Sequence, residues 1–123
     1  MDWTSNERRI LQTTAEWVEA SLTPLARLWE QERRVGVEGL PQAAAIGLTG
    51  LQVPLEQGGQ AVSFRCKAAV AQCLAQGDFG FAMSLINTHN VAARVADELP
   101  ADIVERYLPG LLAGQLIGCT ALT

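Results

Sequence analysis

Residues able to carry chemistry are few and scattered. The single histidine, His89, lies in the stretch FGFAMSLINTHNVAA, residues 79–93, with no Cys, Asp or Glu three or four positions to either side. Helical metal ligands must share a face at those spacings, so no metal site is expected and His89 reads as a hydrogen-bonded core histidine. Cys66 and Cys73 are seven residues apart on one helical stretch. Two turns put their Cα atoms about 10 Å apart, beyond the roughly 7 Å a disulfide tolerates. All three cysteines, Cys119 included, are expected reduced and used for packing. No G-x-S-x-G elbow is present, Gly58-Gly59 lacks the spacing of a phosphate loop, and the carboxylates form no evident acid/base pair. The residues themselves nominate no catalytic group.

The elements that would position a site are helices almost throughout. Ile10, Leu11, Trp17, Val18, Leu22, Leu25, Leu28 and Trp29 form a one-sided apolar stripe at helical spacing, predicting one long helix from Thr4 to about Arg34. Thr4 or Ser5 would cap it, Pro24 would bend or interrupt it, and Gly36 and Gly39 would end it. A short helix is expected from Pro41 to Ile46, closed by Gly47. The following GLTGLQVPLEQGG, residues 47–59, is broken by glycine and proline yet carries Leu48, Leu51 and Val53, so it reads as a buried loop. Ser63 would cap a helix to Gln76 and Asp78 a helix from Phe79 to Leu99, stopped by Pro100. A short helix from Asp102 to Leu108, a turn opened by Pro109 and a release at Gly114 complete the series.

Helix 79–93 has no charged residue in fifteen positions, and its apolar groups fall on every side. This predicts a helix buried all round at the centre of a bundle. It is too short and too polar in its middle to span a membrane. The fold class expected is all-α, an antiparallel helical bundle with an extended C-terminal tail, Leu116 to Thr123. Nine basic against thirteen acidic residues, with no cluster larger than Arg8-Arg9 or Arg33-Arg34, give no footprint for nucleic acid. The polar opening Met1 to Arg9 is not a secretory leader, and a cytoplasmic location is expected, or a matrix reached by a lost presequence.

Three stretches, IGLTGLQVPLEQGG, AQCLAQGDFGFAMSLINTHN and ERYLPGLLAGQLIGCTALT, resemble in order and separation the N-terminal domain of the acyl-CoA dehydrogenase family of flavoproteins. The resemblance covers nearly the whole chain. It implies a helical domain over residues 1–114 and, from 115 to 123, the start of a middle β-domain. It implies FAD as cofactor in the complete protein, an acyl-CoA or acyl-carrier thioester as substrate, an electron-transfer partner and a homo-oligomer. The family's reaction is α,β-dehydrogenation, with a carboxylate base outside these residues taking the α-proton and hydride passing to the flavin. Leu122 and Thr123 match the pair that contacts the flavin ring. Ala82, Met83, Ile86, Asn87 and Asn90 would line the acyl cavity from one helix face. Two other functions share the resemblance or the pattern: a flavin monooxygenase or oxidase of the same architecture, and a free-standing helical interaction module.

Overall fold

The computed structural model describes residues 2–122. Six α-helices follow in order: α1, Ser5–Trp17; α2, Thr23–Glu32; α3, Gly39–Ala45; α4, Phe64–Gly77; α5, Phe79–Glu98; and α6, Ala101–Leu112. No strand occurs among the described residues, and the chain is the all-α bundle expected. Residues 117–122 form an extended tail without regular structure.

Local chemistry sets the helix starts. The Thr4 hydroxyl accepts the Glu7 amide at 3.1 Å, and the Glu7 carboxylate accepts the Thr4 amide at 3.1 Å, a reciprocal capping box. The second Glu7 oxygen accepts the amide of Ser63, the cap of α4, at 2.9 Å. One carboxylate thus joins two helix starts. Asp78 caps α5 by accepting the Phe81 amide at 2.7 Å.

The first α-helix is broken just before Pro24, close to where an interruption was expected, and two other predicted boundaries differ. A π-helical turn, Val18–Leu22, precedes that proline, with the Thr23 amide bonding the Val18 carbonyl five residues back. In an unbroken α-helix the proline ring would press on the Ala20 carbonyl, and the wide turn relieves that crowding. Arg33, not a glycine, ends α2 in the left-handed conformation at φ 54°, with the Arg34 amide returning to the Trp29 carbonyl. Pro109 lies inside a continuous α6 rather than opening a new turn. It and Glu105, whose carbonyl it leaves without a helical donor, are both exposed, so water can serve that carbonyl.

Two hydrophobic clusters meet along α5. The larger joins α1, α2, α4 and the first half of α5 around Ile10, Leu22, Val70, Leu74 and Leu85. Trp17 and Trp29 flank Phe81 at ring-centroid distances of 5.8 and 5.7 Å. The smaller packs Val53 with Ala92, Val95, Leu108 and Leu111, between the second half of α5 and α6. The connector is the buried loop expected, with Leu48, Leu51 and Val53 fully enclosed. Its backbone is satisfied within itself, Gln60 bonding Gly50, Ala61 bonding Val53 and Val62 bonding Leu51. Cys66 is buried and Cys73 half-buried, but Cys119 is exposed on the tail, so the packing role expected of all three fails there.

His89 is fully buried, as expected of a core histidine, with Nδ1 at 3.3 Å from the Thr49 carbonyl. A carbonyl only accepts, so Nδ1 carries the proton, and Nε2 is left with no partner. Burial pushes the imidazole pKa down from 6.5 to about 4, against the opposing bond to Thr49 and with a small contribution from Lys67. The neutral ring is the one the fold accepts.

Two acid-limb predictions follow from these groups. The depressed His89 pKa contributes stability that is complete above 6.5 and lost as pH falls toward about 4, up to about 3 kcal/mol. His89→Gln, which keeps a donor for Thr49, should flatten the urea midpoint over that window; an unchanged slope would locate the titration elsewhere. Hydrogen bonds from Ser63 and Thr4 hold the Glu7 carboxyl below its ordinary value of 4.5, so its stabilisation is present above 4.5 and fades below it. Glu7→Gln should lower the midpoint at neutral pH and remove that later fall, read by the same titration.

Candidate functional site

The outward side of α5 carries Phe79, Met83, Ile86, Asn87 and Asn90, spaced as one helical stripe. Phe79 is 68% and Met83 46% exposed, and Asn87 is exposed as well. The expectation that this helix is buried all round is therefore corrected. Its inner side is filled by Phe81, Leu85, Thr88, His89 and Ala92, while Phe79, Met83 and Asn87 meet solvent and Ile86, half-buried, packs against the larger core cluster. Of the five residues expected to line one face, Met83, Ile86, Asn87 and Asn90 share the outer stripe. Ala82 does not: it is 3% exposed and belongs to the larger core cluster. One residue before Met83 turns about 100° around the axis, enough to reverse its surroundings.

The tail reaches this surface by two backbone devices. Gly114, at φ 71°, reverses the chain after α6, and the Gln115 and Leu116 amides bond back to the Gly110 carbonyl. Gly118 then lies directly on α5, its amide donating to the Thr88 hydroxyl at 3.1 Å in a buried contact. A Cβ there would stand 2.7 Å from Val91 Cβ and 3.2 Å from Thr88 Cα, so only glycine lets the tail approach this closely. Cys119–Leu122 make no backbone–backbone hydrogen bond among the described residues.

Between tail and helix lies an open groove of about 810 Å³, lined among others by Lys67, Asn90, Val91, Arg94, Cys119 and Leu122. Two residues from separate predicted sets, Asn90 and Leu122, therefore border one space. The Lys67 ammonium donates to Asn90 Oδ1 at 2.6 Å. Arg94 pairs with Glu98 at 3.1 Å. Met83, Ile86 and Asn87 are outside this groove, farther toward the start of α5. A second hollow of about 830 Å³, under Trp29, Val37 and Phe81, includes none of the predicted site residues.

Leu122 is 90% exposed, an apolar side chain able to cover a planar ring. Thr123, the other residue of the expected flavin pair, lies outside the described residues. No group of three His, Cys, Asp or Glu residues able to hold a metal occurs among the described residues. The groove supplies hydrogen-bond donors and apolar wall, and it contains no carboxylate–histidine or nucleophile–base pair. It can bind and orient a ligand. Thr88, Gly118 and Lys67 were not legible as site residues; the only signal was a lysine in the first turn of α4, where a cation opposes the helix dipole.

Residues 4–115 match the family described as acyl-CoA dehydrogenase, N-terminal domain. The chain is 22% identical over 121 residues to the mitochondrial isobutyryl-CoA dehydrogenase of Dictyostelium discoideum, covering 98% of this chain and 29% of that protein. It is 28% identical over 125 residues to the acryloyl-CoA reductase (NADH) of Anaerotignum propionicum, covering 97% of this chain and 30% of that one. The chain thus spans less than a third of the length of these curated relatives. The solved structure of apo-form PigA shares the fold with a TM-score of 0.83 at 20% identity, over 95% of this chain and 32% of its own. The FAD complex of PigA agrees as well, with a TM-score of 0.83 over 31% of its chain. No helix among the described residues is long and apolar enough to cross a membrane. With the family matched over residues 4–115 and the helical order in agreement, the chain belongs to the acyl-CoA dehydrogenase N-terminal domain family.

Proposed function

We propose that these residues serve an FAD-dependent acyl-CoA dehydrogenase, with residues 1–114 as its N-terminal helical domain and 115–123 as the start of a middle β-domain. The activity is α,β-dehydrogenation of an acyl-CoA or acyl-carrier thioester. The observation that carries this reading is the shared groove: Asn90, expected on the acyl side, and Leu122, expected on the flavin side, line one space. Bound FAD supplies the redox chemistry. Leu122 would pack against the flavin ring, and the Thr123 hydroxyl would donate to it. The bond from Gly118 to Thr88 would anchor the start of the segment that leads to Leu122.

Met83 and Ile86 would give the acyl chain apolar contact, while Asn87 and Asn90 would resist desolvation by an aliphatic segment. Ala82, enclosed in the core, would act through the packing of α5 rather than by touching substrate. An electron-transfer partner, a homo-oligomeric assembly and a cytoplasmic location complete the proposal; the family's names support the thioester class alone.

In the complete enzyme, Asn87→Trp should shorten the preferred acyl chain, lowering kcat/KM for the longest good substrate about tenfold while leaving FAD content unchanged. An unaltered chain-length profile in a folded, FAD-loaded variant would remove this stripe from the site. The 123 residues alone should be colourless and inactive, measured by visible absorbance and thioester oxidation. Stoichiometric flavin absorbance would show that the cofactor needs nothing further.

A further inference from the structure

Lys67 brings a cation to the groove wall, where an amide oxygen and an aromatic face hold it but no described carboxylate does. It stands in the first turn of α4, four residues after the Ser63 cap, where the helix dipole disfavours a cation. It is half-buried, and burial holds its pKa below 10.5. Among the described residues it makes no ion pair. Its contacts are the Asn90 amide oxygen at 2.6 Å and the Phe64 ring, 5.6 Å from ammonium to centroid.

The bond to Asn90 also settles which way that amide points. Lys67 is only a donor, so it must face Oδ1, which leaves the Asn90 Nδ2 hydrogens for another acceptor. No described residue accepts from them. The cation and the amide NH2 therefore sit together on the groove wall with unused donors. Acidic groups on the same groove, Asp97 and Glu98, are seven and eight residues farther along α5, about 10 Å in helical rise, and Glu98 is engaged by Arg94.

We propose that Lys67 and Asn90 form a polar subsite that takes an anionic oxygen of the thioester ligand, Lys67 supplying charge and Asn90 Nδ2 a directed hydrogen bond. The anion is either a carboxylate at the far end of the acyl group or a phosphate of the thioester carrier; both present oxygen acceptors to the same donors. This rests on the acyl-site reading above and goes beyond it, since a purely hydrocarbon lining needs no cation.

The test titrates the 123-residue chain, labelled with 15N and with 13C at methionine and isoleucine methyls, with three probes. These are the N-acetylcysteamine thioesters of glutaric acid and of butyric acid, and free phosphopantetheine. The subsite predicts that glutaryl thioester or phosphopantetheine moves the Asn90 side-chain amide resonances and raises the Lys67 pKa. The affinity of that probe should fall about tenfold in Lys67→Met, a variant that keeps the aliphatic stem and is expected to fold. A response to glutaryl thioester assigns the acyl carboxylate, and a response to phosphopantetheine assigns the carrier phosphate. Equal weak binding of all three probes, no binding of either anion, or affinity unchanged in Lys67→Met overturns the subsite. Butyryl shifts at the Met83 and Ile86 methyls report on the acyl lining separately, and they stand or fall without Lys67.

Discussion

Thr49 is where the fold is tied together. It lies in the short 3-10 turn Leu48–Gly50 of the connector and is 1% exposed, with its hydroxyl donating to the Leu112 carbonyl at 2.6 Å and its carbonyl accepting from His89. One residue of the connector therefore fixes the end of α6 and the middle of α5. A loop can be buried only if its polar backbone is answered. Here the answers come from the loop's own turns and from these two helices. Because α6 ends at Leu112, the position of Gly114 and of everything in the tail is set from the same point.

The outer stripe of α5 and the tail meet at Asn90. The stripe is apolar or amide-bearing, without charge as far as Asn90, and Gly118 seats the tail on Thr88 and Val91 beside it. What results is a groove with one polar end at Lys67 and Asn90 and an acidic end at Asp97 and Glu98.

Much of the fold was legible because the governing signals are local. Ser63 and Asp78 announced their helices, Pro100 separated α5 from α6, and the hydrophobic glycine-rich connector was readable as a buried loop. The helix interior at Pro109 was misread because proline penalties are averages that a solvent-facing carbonyl can absorb. The site was less legible. The face expected from the resemblance grouped Met83, Ile86, Asn87 and Asn90, which do share one stripe, but it also admitted Ala82, which the core encloses. The contacts Thr88–Gly118 and Lys67–Asn90 span 30 and 23 residues, and neither leaves a pattern in a window of one helix.

The π turn has a consequence for angular register. Trp17 and Trp29 are twelve residues apart, and twelve steps of an ideal α-helix would leave them about 120° apart around the axis. The wide turn between them absorbs roughly one residue, reducing the offset to about 20°. Both indoles can then close on Phe81 from the same side. Seen this way, the first helix behaves as a regular one carrying a single inserted residue between Val18 and Leu22. A relative lacking that residue would be expected to show a one-position gap there and the same aromatic cluster.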